Sequence, residues 1–121
     1  MEEMAKTVVT ATPCGEDGLC PKFAKIFSIL GKKWNGLIIE ALLKNGTQRF
    51  KQLAGMVPTC SDRVLVERLR ELESEGFVER VTYPHAALIE YRLTERGASL
   101  APVMGAIHTW ADEWITPEEC R

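Results

Sequence analysis

Residues 59–91, with the sequence TCSDRVLVERLRELESEGFVERVTYPHAALIEY, decide the fold of this chain. They open with a helix start signal, because Ser61 is a good N-cap and Asp62 places a carboxylate in the first turn, where the helix dipole favours one. Gly76 is a stop signal about four turns later. The apolar residues that share one face at helical spacing are Leu65, Leu69 and Leu72. The sequence therefore predicts an amphipathic helix with strongly charged outer faces.

Two short segments with strand patterning follow this helix. Residues 77–83 and 88–93 alternate apolar and polar side chains, as half-buried strands do. A Pro-His-Ala-Ala linker from Pro84 to Ala87 joins them, so the pair predicts a β-hairpin. A charged helix followed at once by a hairpin is the arrangement that a winged helix presents to a DNA major groove.

Three further helices are predicted before this stretch. The first runs from Pro21 to a stop at Gly31, the second ends at Asn45-Gly46, and the third covers residues 51–57. The apolar stripe of the second consists of Trp34, Leu37, Ile38, Ala41 and Leu42. In the third, Leu53 and Met56 are expected to face inward, with Pro58 breaking the helix. The short segment 47–50 fits either a small strand or a turn.

A last helix is predicted after the hairpin, with Thr94 as its cap. Its apolar stripe is Leu100, Val103, Met104, Ile107, Ala111 and Trp114. Pro102 lies inside this helix and is expected to kink it. The fold class is therefore mainly α with a small β-hairpin (α+β). We predict a flexible N-terminal arm over residues 1–19, one domain over 20–116 and a C-terminal tail over 117–121.

Charge is unevenly distributed along the chain. The 121 residues carry a formal net charge of −2, but residues 20–60 hold seven basic side chains against Glu40 alone. Residues 61–121 hold seven arginines against twelve carboxylates. A basic first half can present a positive face to phosphate while the whole protein stays acidic, although a mixed solvated surface explains the same charges.

Cysteine usage and the N-terminal segment indicate a cytoplasmic protein. Residues 1–12 contain two glutamates and no apolar core of a secretory signal, and no segment approaches the about 20 apolar residues of a membrane span. In that compartment the four cysteines, which are Cys14, Cys20, Cys60 and Cys120, are expected to be reduced thiols. Cys60 is expected to fill a core position.

The order short helix, turn and charged helix predicts a helix-turn-helix unit. Its second helix would lie in the major groove with its N-terminal turns nearest the bases, and Arg63 is the best candidate for direct readout, because a guanidinium can bond guanine O6 and N7 together. The predicted DNA-contacting residues are Arg49, Ser61, Asp62, Arg63, Glu67, Arg68, Arg70, His85 and Arg92. Arg68 and Arg70 have two alternative roles, contact with phosphates or ion pairs with neighbouring glutamates; a salt-bridged exposed helix would need no DNA.

Six motifs in unbroken order resemble one family. They are Cys20-Pro21, Gly31-Lys32-Lys33-Trp34, Arg49-Phe50-Lys51-Gln52-Leu53, Leu69-Arg70-Glu71-Leu72-Glu73, Gly76-Phe77-Val78-Glu79-Arg80 and Glu90-Tyr91-Arg92-Leu93-Thr94-Glu95-Arg96-Gly97. Each is weak alone, but together they resemble the HxlR-type winged helix-turn-helix transcription regulators, relatives of the MarR-like group. The resemblance implies a homodimer that binds double-stranded DNA at a pseudo-palindromic operator.

The resemblance also implies particular roles for the ends of the domain. The first and last helices would form the dimer, through the residues Phe23, Phe27, Val103, Ile107, Trp110 and Trp114. Cys20 matches the cysteine that serves some members as a redox or electrophile sensor. From the residues themselves, oxidation could join Cys20 to Cys14, to a small thiol or to a cysteine of the partner chain. The position of Cys20 near a helix start, beside Lys22 and Lys25, would favour the thiolate. A buried cysteine that only fills space is the alternative.

The wing departs from the family pattern. A Pro-Pro-Arg or Pro-Pro-Lys element is usual before Val-Glu-Tyr, whereas this chain has His85-Ala86-Ala87-Leu88-Ile89-Glu90-Tyr91. The usual cation of the wing is therefore absent, and His85 and Arg92 replace it only partly. Two other functions stay open: a winged-helix protein-interaction module without DNA binding, and a regulator switched by a small ligand in the dimer cleft.

Other functional classes find no support in the sequence. There is no metal-ligand spacing such as C-x₂-C or H-x₃-H, no phosphate-binding glycine loop and no nucleophile motif. We therefore expect no enzyme activity, cofactor or metal. Trp34 and Trp110 are more typical of a core or a dimer interface than of ligand stacking.

Overall fold

The computed structural model describes residues 18–120 as a mainly helical chain with one small sheet. The helices are α1 (Pro21–Leu30), α2 (Asn35–Asn45), α3 (Phe50–Met56), α4 (Asp62–Ser74), α5 (Glu95–Ala98) and α6 (Ala101–Trp114). The strands are β1 (Gln48–Arg49), β2 (Val78–Tyr83) and β3 (Ala86–Leu93), and a 3₁₀ turn covers Pro117–Cys120. The predicted α+β fold class is confirmed.

The chain divides into two compact units, residues 1–33 and residues 34–121, so α1 belongs to the first and the other elements to the second. In the second unit the sheet has the order β1-β3-β2, and both pairings are antiparallel. Gln48 in β1 is paired with Tyr91 in β3. The segment that the sequence left open between strand and turn is therefore a strand, and it makes the hairpin a three-stranded wing.

Helix α4 forms where its signals predict. The Ser61 hydroxyl accepts a hydrogen bond from the Val64 amide at 3.2 Å, which satisfies one of the unpaired N–H groups of the first turn. Gly76 follows the helix at φ +83°, a left-handed conformation that favours glycine. The three predicted inward leucines, Leu65, Leu69 and Leu72, are at most 1% exposed. Burial of each such side chain stabilises a fold by about 1.5–3 kcal/mol.

The buried face of α2 differs from the predicted stripe. Leu37, expected in the core, is 55% exposed, whereas Ile39 is fully buried beside Ile38. Trp34 precedes the helix in a left-handed conformation, φ 82°, and is not part of its stripe. The reason is that the buried face includes the fully buried Asn35, a polar residue that a search for apolar spacing passes over.

The end of α3 also differs from the prediction. Met56 is 44% exposed, and the inward position falls to Val57, which is 4% exposed, one residue after the helix ends. Leu53 is buried as expected. Cys60, in the turn before α4, is 5% exposed, so the prediction that it fills a core position is confirmed.

The predicted single C-terminal helix is wrong, because two helices occupy that stretch. The Thr94 hydroxyl caps α5 by accepting from the Gly97 amide at 3.0 Å, and it donates to the Gly76 carbonyl at 2.6 Å. Pro102 lies in the first turn of α6, where its missing N–H costs nothing. A helix running through Pro102 would lose a hydrogen bond and bring the ring against the residue 98 carbonyl, so the chain starts a new helix instead.

Most of the predicted C-terminal stripe is also not in the core. Leu100 is buried, but no residue of α6 is buried in the described part of the chain. In residues 18–120 no helix is long and apolar enough to span a membrane. The same residues contain no cluster of three or more histidines, cysteines or carboxylates that could hold a metal ion.

Candidate DNA-binding surface

The first turns of α4 carry the exposed polar residues that the sequence assigned to DNA. Ser61 and Asp62 are exposed at the helix start. The Arg63 side chain is 88% exposed, and its Nε lies 3.9 Å from Oε2 of Glu67 one turn later. An exposed i,i+4 pair of this kind contributes only about 0.3–0.5 kcal/mol. Little free energy therefore keeps Arg63 on Glu67, and its guanidinium is available to a base edge.

Arg70 lies on the same face of α4 as Arg63. Seven residues correspond to nearly two helical turns, so the two side chains differ by about 20° around the axis and about 10 Å along it. Arg70 is exposed. It has no carboxylate partner among the described residues, so it does not adopt the ion-pair alternative. This face presents two guanidinium groups spaced along the helix.

Arg68 has a different environment. Its side chain is only 23% exposed, and Nη1 lies 3.8 Å from Oε1 of Glu71. The same carboxylate oxygen accepts a hydrogen bond from Nδ2 of the buried Asn35 at 3.4 Å. The geometry favours the ion-pair alternative for Arg68, in a polar contact that joins α4 to α2.

Arg49 lies at the junction of β1 and α3. It is the N-cap residue of α3, and its backbone amide donates to Oε1 of Gln52 at 2.8 Å, which is one half of a capping box. The side chain is exposed. The role of Arg49 in DNA contact stays a prediction.

Two cross-strand pairs on the wing involve Arg92 and Tyr83. Arg92 faces Glu79 in the register, and its Nε donates to Oε1 of Glu79 at 3.1 Å, a hydrogen bond that raises the pKa of Arg92. Tyr83 donates its hydroxyl proton to Glu90 at 2.7 Å, and this bond raises the pKa of Tyr83. His85 is exposed in the turn between β2 and β3. Arg92 is thus partly neutralised, and His85 is the remaining polar group at the tip.

Sequence reasoning missed a cleft of about 380 Å³ between α4 and the wing. It is lined by Val66, Leu69, Arg70, Glu73, Arg80 and Tyr91. Arg80 and Tyr91 are cross-strand partners in β2 and β3. The sequence signal for Arg80 is strand alternation, because side chains two residues apart lie on the same face of a strand. Arg80 therefore shares a face of β2 with Val78, which is buried.

Cys20 is the N-cap residue of α1. Its Sγ accepts a hydrogen bond from the Phe23 amide at 3.4 Å, so the predicted position near a helix start is confirmed. Cys20 is disulfide-bonded in this structure, so the expectation of four reduced thiols does not hold for it. Cys14 lies outside the described residues.

Two helices expose large apolar side chains. On α1, Phe23 and Phe27 are 58% and 51% exposed, with ring centroids 4.8 Å apart. On α6, Trp110 and Trp114 stack at 6.4 Å and are 57% and 65% exposed. Val103 and Ile107 on α6 are also about half exposed. These six residues are those that the sequence assigned to a dimer interface.

The comparison with protein families identifies the chain. The model of the HxlR-like helix-turn-helix family matches residues 29–119, which include α2, the α3–α4 unit, the wing and α6. The chain belongs to the HxlR-like helix-turn-helix family. It is therefore a helix-turn-helix transcription regulator, and enzyme activity is not a property of this family.

Two curated relatives from Bacillus subtilis (strain 168) are similar to most of this HxlR-family chain. The HTH-type transcriptional regulator YvaP is 50% identical over 100 residues, which cover 82% of this chain and 92% of YvaP. The HTH-type transcriptional regulator YodB is 43% identical over 100 residues, covering 82% of this chain and 88% of YodB.

Solved structures support the same fold. The reduced form of YodB from B. subtilis has a TM-score of 0.72 at 42% identity and covers 83% of this chain and 98% of its own. A quinone-bound form of YodB has a TM-score of 0.69 at 44% identity, and the match covers 79% of this chain and 100% of the YodB chain. The redox regulator HypR in its reduced form has a TM-score of 0.71 at 30% identity, and the match covers 76% of this chain and 91% of the HypR chain.

Proposed function

We propose that this HxlR-family regulator acts as a homodimer on a pseudo-palindromic operator, with α4 of each protomer in a major groove. The observation that carries the proposal is the exposed face of α4, where Arg63 and Arg70 are oriented alike beside a three-stranded wing. The N-terminal turns of a recognition helix contact base edges, so Arg63 is the residue for readout. The regulatory unit is the predicted domain 20–116, and its place of action is the cytoplasm, where the operator is.

Dimerisation through α1 and α6 follows from their exposed side chains. Each helix presents aromatic rings that are about half exposed or more, and contiguous apolar surface of this kind marks an interaction site. Copies of one chain associate most often around a two-fold axis. Such a dimer would hold two α4 helices at a fixed separation, and half-sites about 10 bp apart are then expected.

A mobility-shift titration with the promoter region of the protein's own gene tests DNA binding. Arg63→Ala should weaken binding about 30-fold or more, because a bidentate arginine–guanine contact is worth about 1–3 kcal/mol and the dimer would lose one in each half-site. Lys44→Ala is the matched control, since Lys44 is an exposed cation on α2 that is not among the predicted DNA-contacting residues. If Arg63→Ala binds as tightly as the control, Arg63 does not read a base.

We further propose that Cys20 is the switch, by oxidation or by addition to an electrophile. In this structure the Cys20 sulfur, which belongs to a disulfide, accepts the hydrogen bond that caps α1. Once that disulfide is reduced, the helix dipole at the same position would favour the thiolate, which is the reactive form. Two solved neighbours support this chemistry by their descriptions, since YodB has been obtained quinone-bound and HypR is a redox regulator. The Cys20 thiolate would either add to a quinone or form a disulfide with a second thiol, in which case the two sulfurs together give two electrons to an oxidant. Either reaction would change the start of the helix that carries Phe23 and Phe27.

The switch is tested by reducing the Cys20 disulfide first, removing the reductant, and then adding diamide or a quinone to the protein–DNA complex. Wild-type protein should change its affinity for DNA, and Cys20→Ser should not respond. Cys120→Ser is the control, because Cys120 is an exposed cysteine outside any disulfide. A response that persists in Cys20→Ser removes the thiol mechanism and favours the remaining alternative, a small ligand in the dimer cleft. The interaction-module alternative loses support, because the family consists of transcription regulators.

A further inference from the structure

The cleft between α4 and the wing contains two cationic side chains that pair with no carboxylate in the described part of the chain. Arg70 comes from α4 and Arg80 from β2. Neither has an acidic oxygen of residues 18–120 within ion-pair distance, whereas Arg63, Arg68 and Arg92 each have one. Both are exposed, so their charges are open to a ligand that enters from solvent.

The position of the cleft along α4 indicates which ligand it meets. Arg70 lies about 10 Å behind Arg63 on the same helix face, and the major groove is about 12 Å wide. If the start of α4 contacts the bases, Arg70, further along the helix, lies beside the sugar–phosphate backbone at the edge of the groove. Arginine presents a planar fork of donors that matches phosphate oxygens.

We propose that Arg70 and Arg80 clamp one backbone phosphate of the operator from two sides, one arm from the recognition helix and one from the wing. This inference rests on the proposed function and adds Arg80, which the sequence had not assigned to DNA. Arg80 thereby supplies a cation on the wing, where this chain lacks the usual Pro-Pro-Arg element. Tyr91, the cross-strand partner of Arg80, forms part of the cleft wall.

Glu73 lines the same cleft and opposes the phosphate. Its carboxylate has no ion-pair partner among the described residues. A like charge near an anion site lowers affinity, so the clamp binds more weakly than two arginines alone would. Neutralising Glu73 should therefore tighten DNA binding, which is the opposite direction from neutralising either arginine.

The first test is the salt dependence of operator binding, measured by fluorescence anisotropy for wild type, Arg70→Gln, Arg80→Gln, the double variant and Lys44→Gln as control. Each neutralised phosphate contributes about 0.9 to the slope of log Kd against log salt. Because both arginines of a protomer share one phosphate, the dimer of the double variant should lose two such units, about 1.8 in slope, and not four. Each single variant should bind about a hundredfold more weakly than wild type, which is about tenfold for each half-site. Glu73→Gln should bind more tightly than wild type.

The second test locates the phosphate. Operator duplexes with one neutral methylphosphonate at successive backbone positions should bind wild type poorly at one position in each half-site, and the double variant should be indifferent to that position. If the double variant keeps the wild-type pattern while inorganic phosphate displaces DNA from wild type alone, the cleft binds a free anion and the backbone assignment is overturned.

The failure of the inference is distinguishable from failure of the proposed function. Wild type that binds no promoter fragment at low salt contradicts the proposed function. Wild type that binds the promoter, with Arg70→Gln and Arg80→Gln indistinguishable from Lys44→Gln in slope and affinity, contradicts only the clamp.

Discussion

Trp114 offers the sharpest test of the proposed dimer, because so much of its ring faces solvent at the end of α6. A tryptophan buries about 150–250 Å² when fully covered. Since Trp114 is 65% exposed, about 100–160 Å² is available to a second protomer, which corresponds to about 2.5–4 kcal/mol at about 25 cal/mol per Å². In a two-fold dimer Trp114→Ala changes both protomers, so the upper limit of the lost dimerisation free energy is about 5–8 kcal/mol.

The expected effect on the dimer is therefore large even when covering is incomplete. With half of the exposed area covered, Trp114→Ala would cost about 2.5–4 kcal/mol, which raises the dimer Kd about a hundredfold to a thousandfold. Sedimentation velocity over a dilution series measures this Kd without DNA. Ile89→Ala is the control, because Ile89 is an exposed apolar residue of the wing, 37% exposed. A Trp114→Ala dimer as tight as the control would refute the assignment of α6 to the interface.

Three further predictions concern the elements that hold the site. Ser61→Ala should destabilise the protein by about 1 kcal/mol, seen as a lower thermal midpoint, because it removes the cap of α4; an unchanged midpoint would show that water replaces the hydroxyl. Gly97→Ala should destabilise by about 1–3 kcal/mol in denaturant unfolding, because a Cβ there would lie 2.2 Å from the Phe77 carbonyl oxygen; Gly105→Ala, where a Cβ meets nothing within 4 Å, is the control and should not destabilise. The hydrogen bond to Glu90 raises the pKa of Tyr83. The stabilisation of the fold by this bond is therefore complete below the ordinary tyrosine pKa of about 10 and is lost as pH rises through the higher pKa of the folded protein. Glu90→Gln should bring the ultraviolet titration of Tyr83 back toward about pH 10, and a titration that does not change would contradict the bond.

The recognition helix was predictable because its signals are local. The Ser61 cap and the Gly76 stop act within a few residues of the helix ends, and the leucine spacing reports one buried face. The core of α2 was less predictable, since its buried face includes a polar residue, Asn35. Burial of a polar side chain depends on its partner in space, here Glu71, and that partner is far away in sequence.

The cleft was not predictable because it depends on strand register. A two-residue turn that pairs Tyr83 with Ala86 would, if continued regularly, place Arg80 opposite Ile89. The irregularity between Thr82 and Tyr83 shifts the register, and Arg80 lies opposite Tyr91 instead. Likewise, the apolar stripe of α6 has the spacing of a core helix, and spacing alone does not distinguish a core from a surface reserved for another protomer.

The sulfur of Cys20 accepts the hydrogen bond that closes the first turn of α1, and in the proposed switch the same atom would be the reactive group. Chemistry at this atom reaches the helix directly and requires no relay of side chains. Serine restores the capping without the reactivity, whereas alanine removes both. A comparison of the two replacements would therefore separate a signal that arises from the modification itself from one that arises from fraying of the helix end.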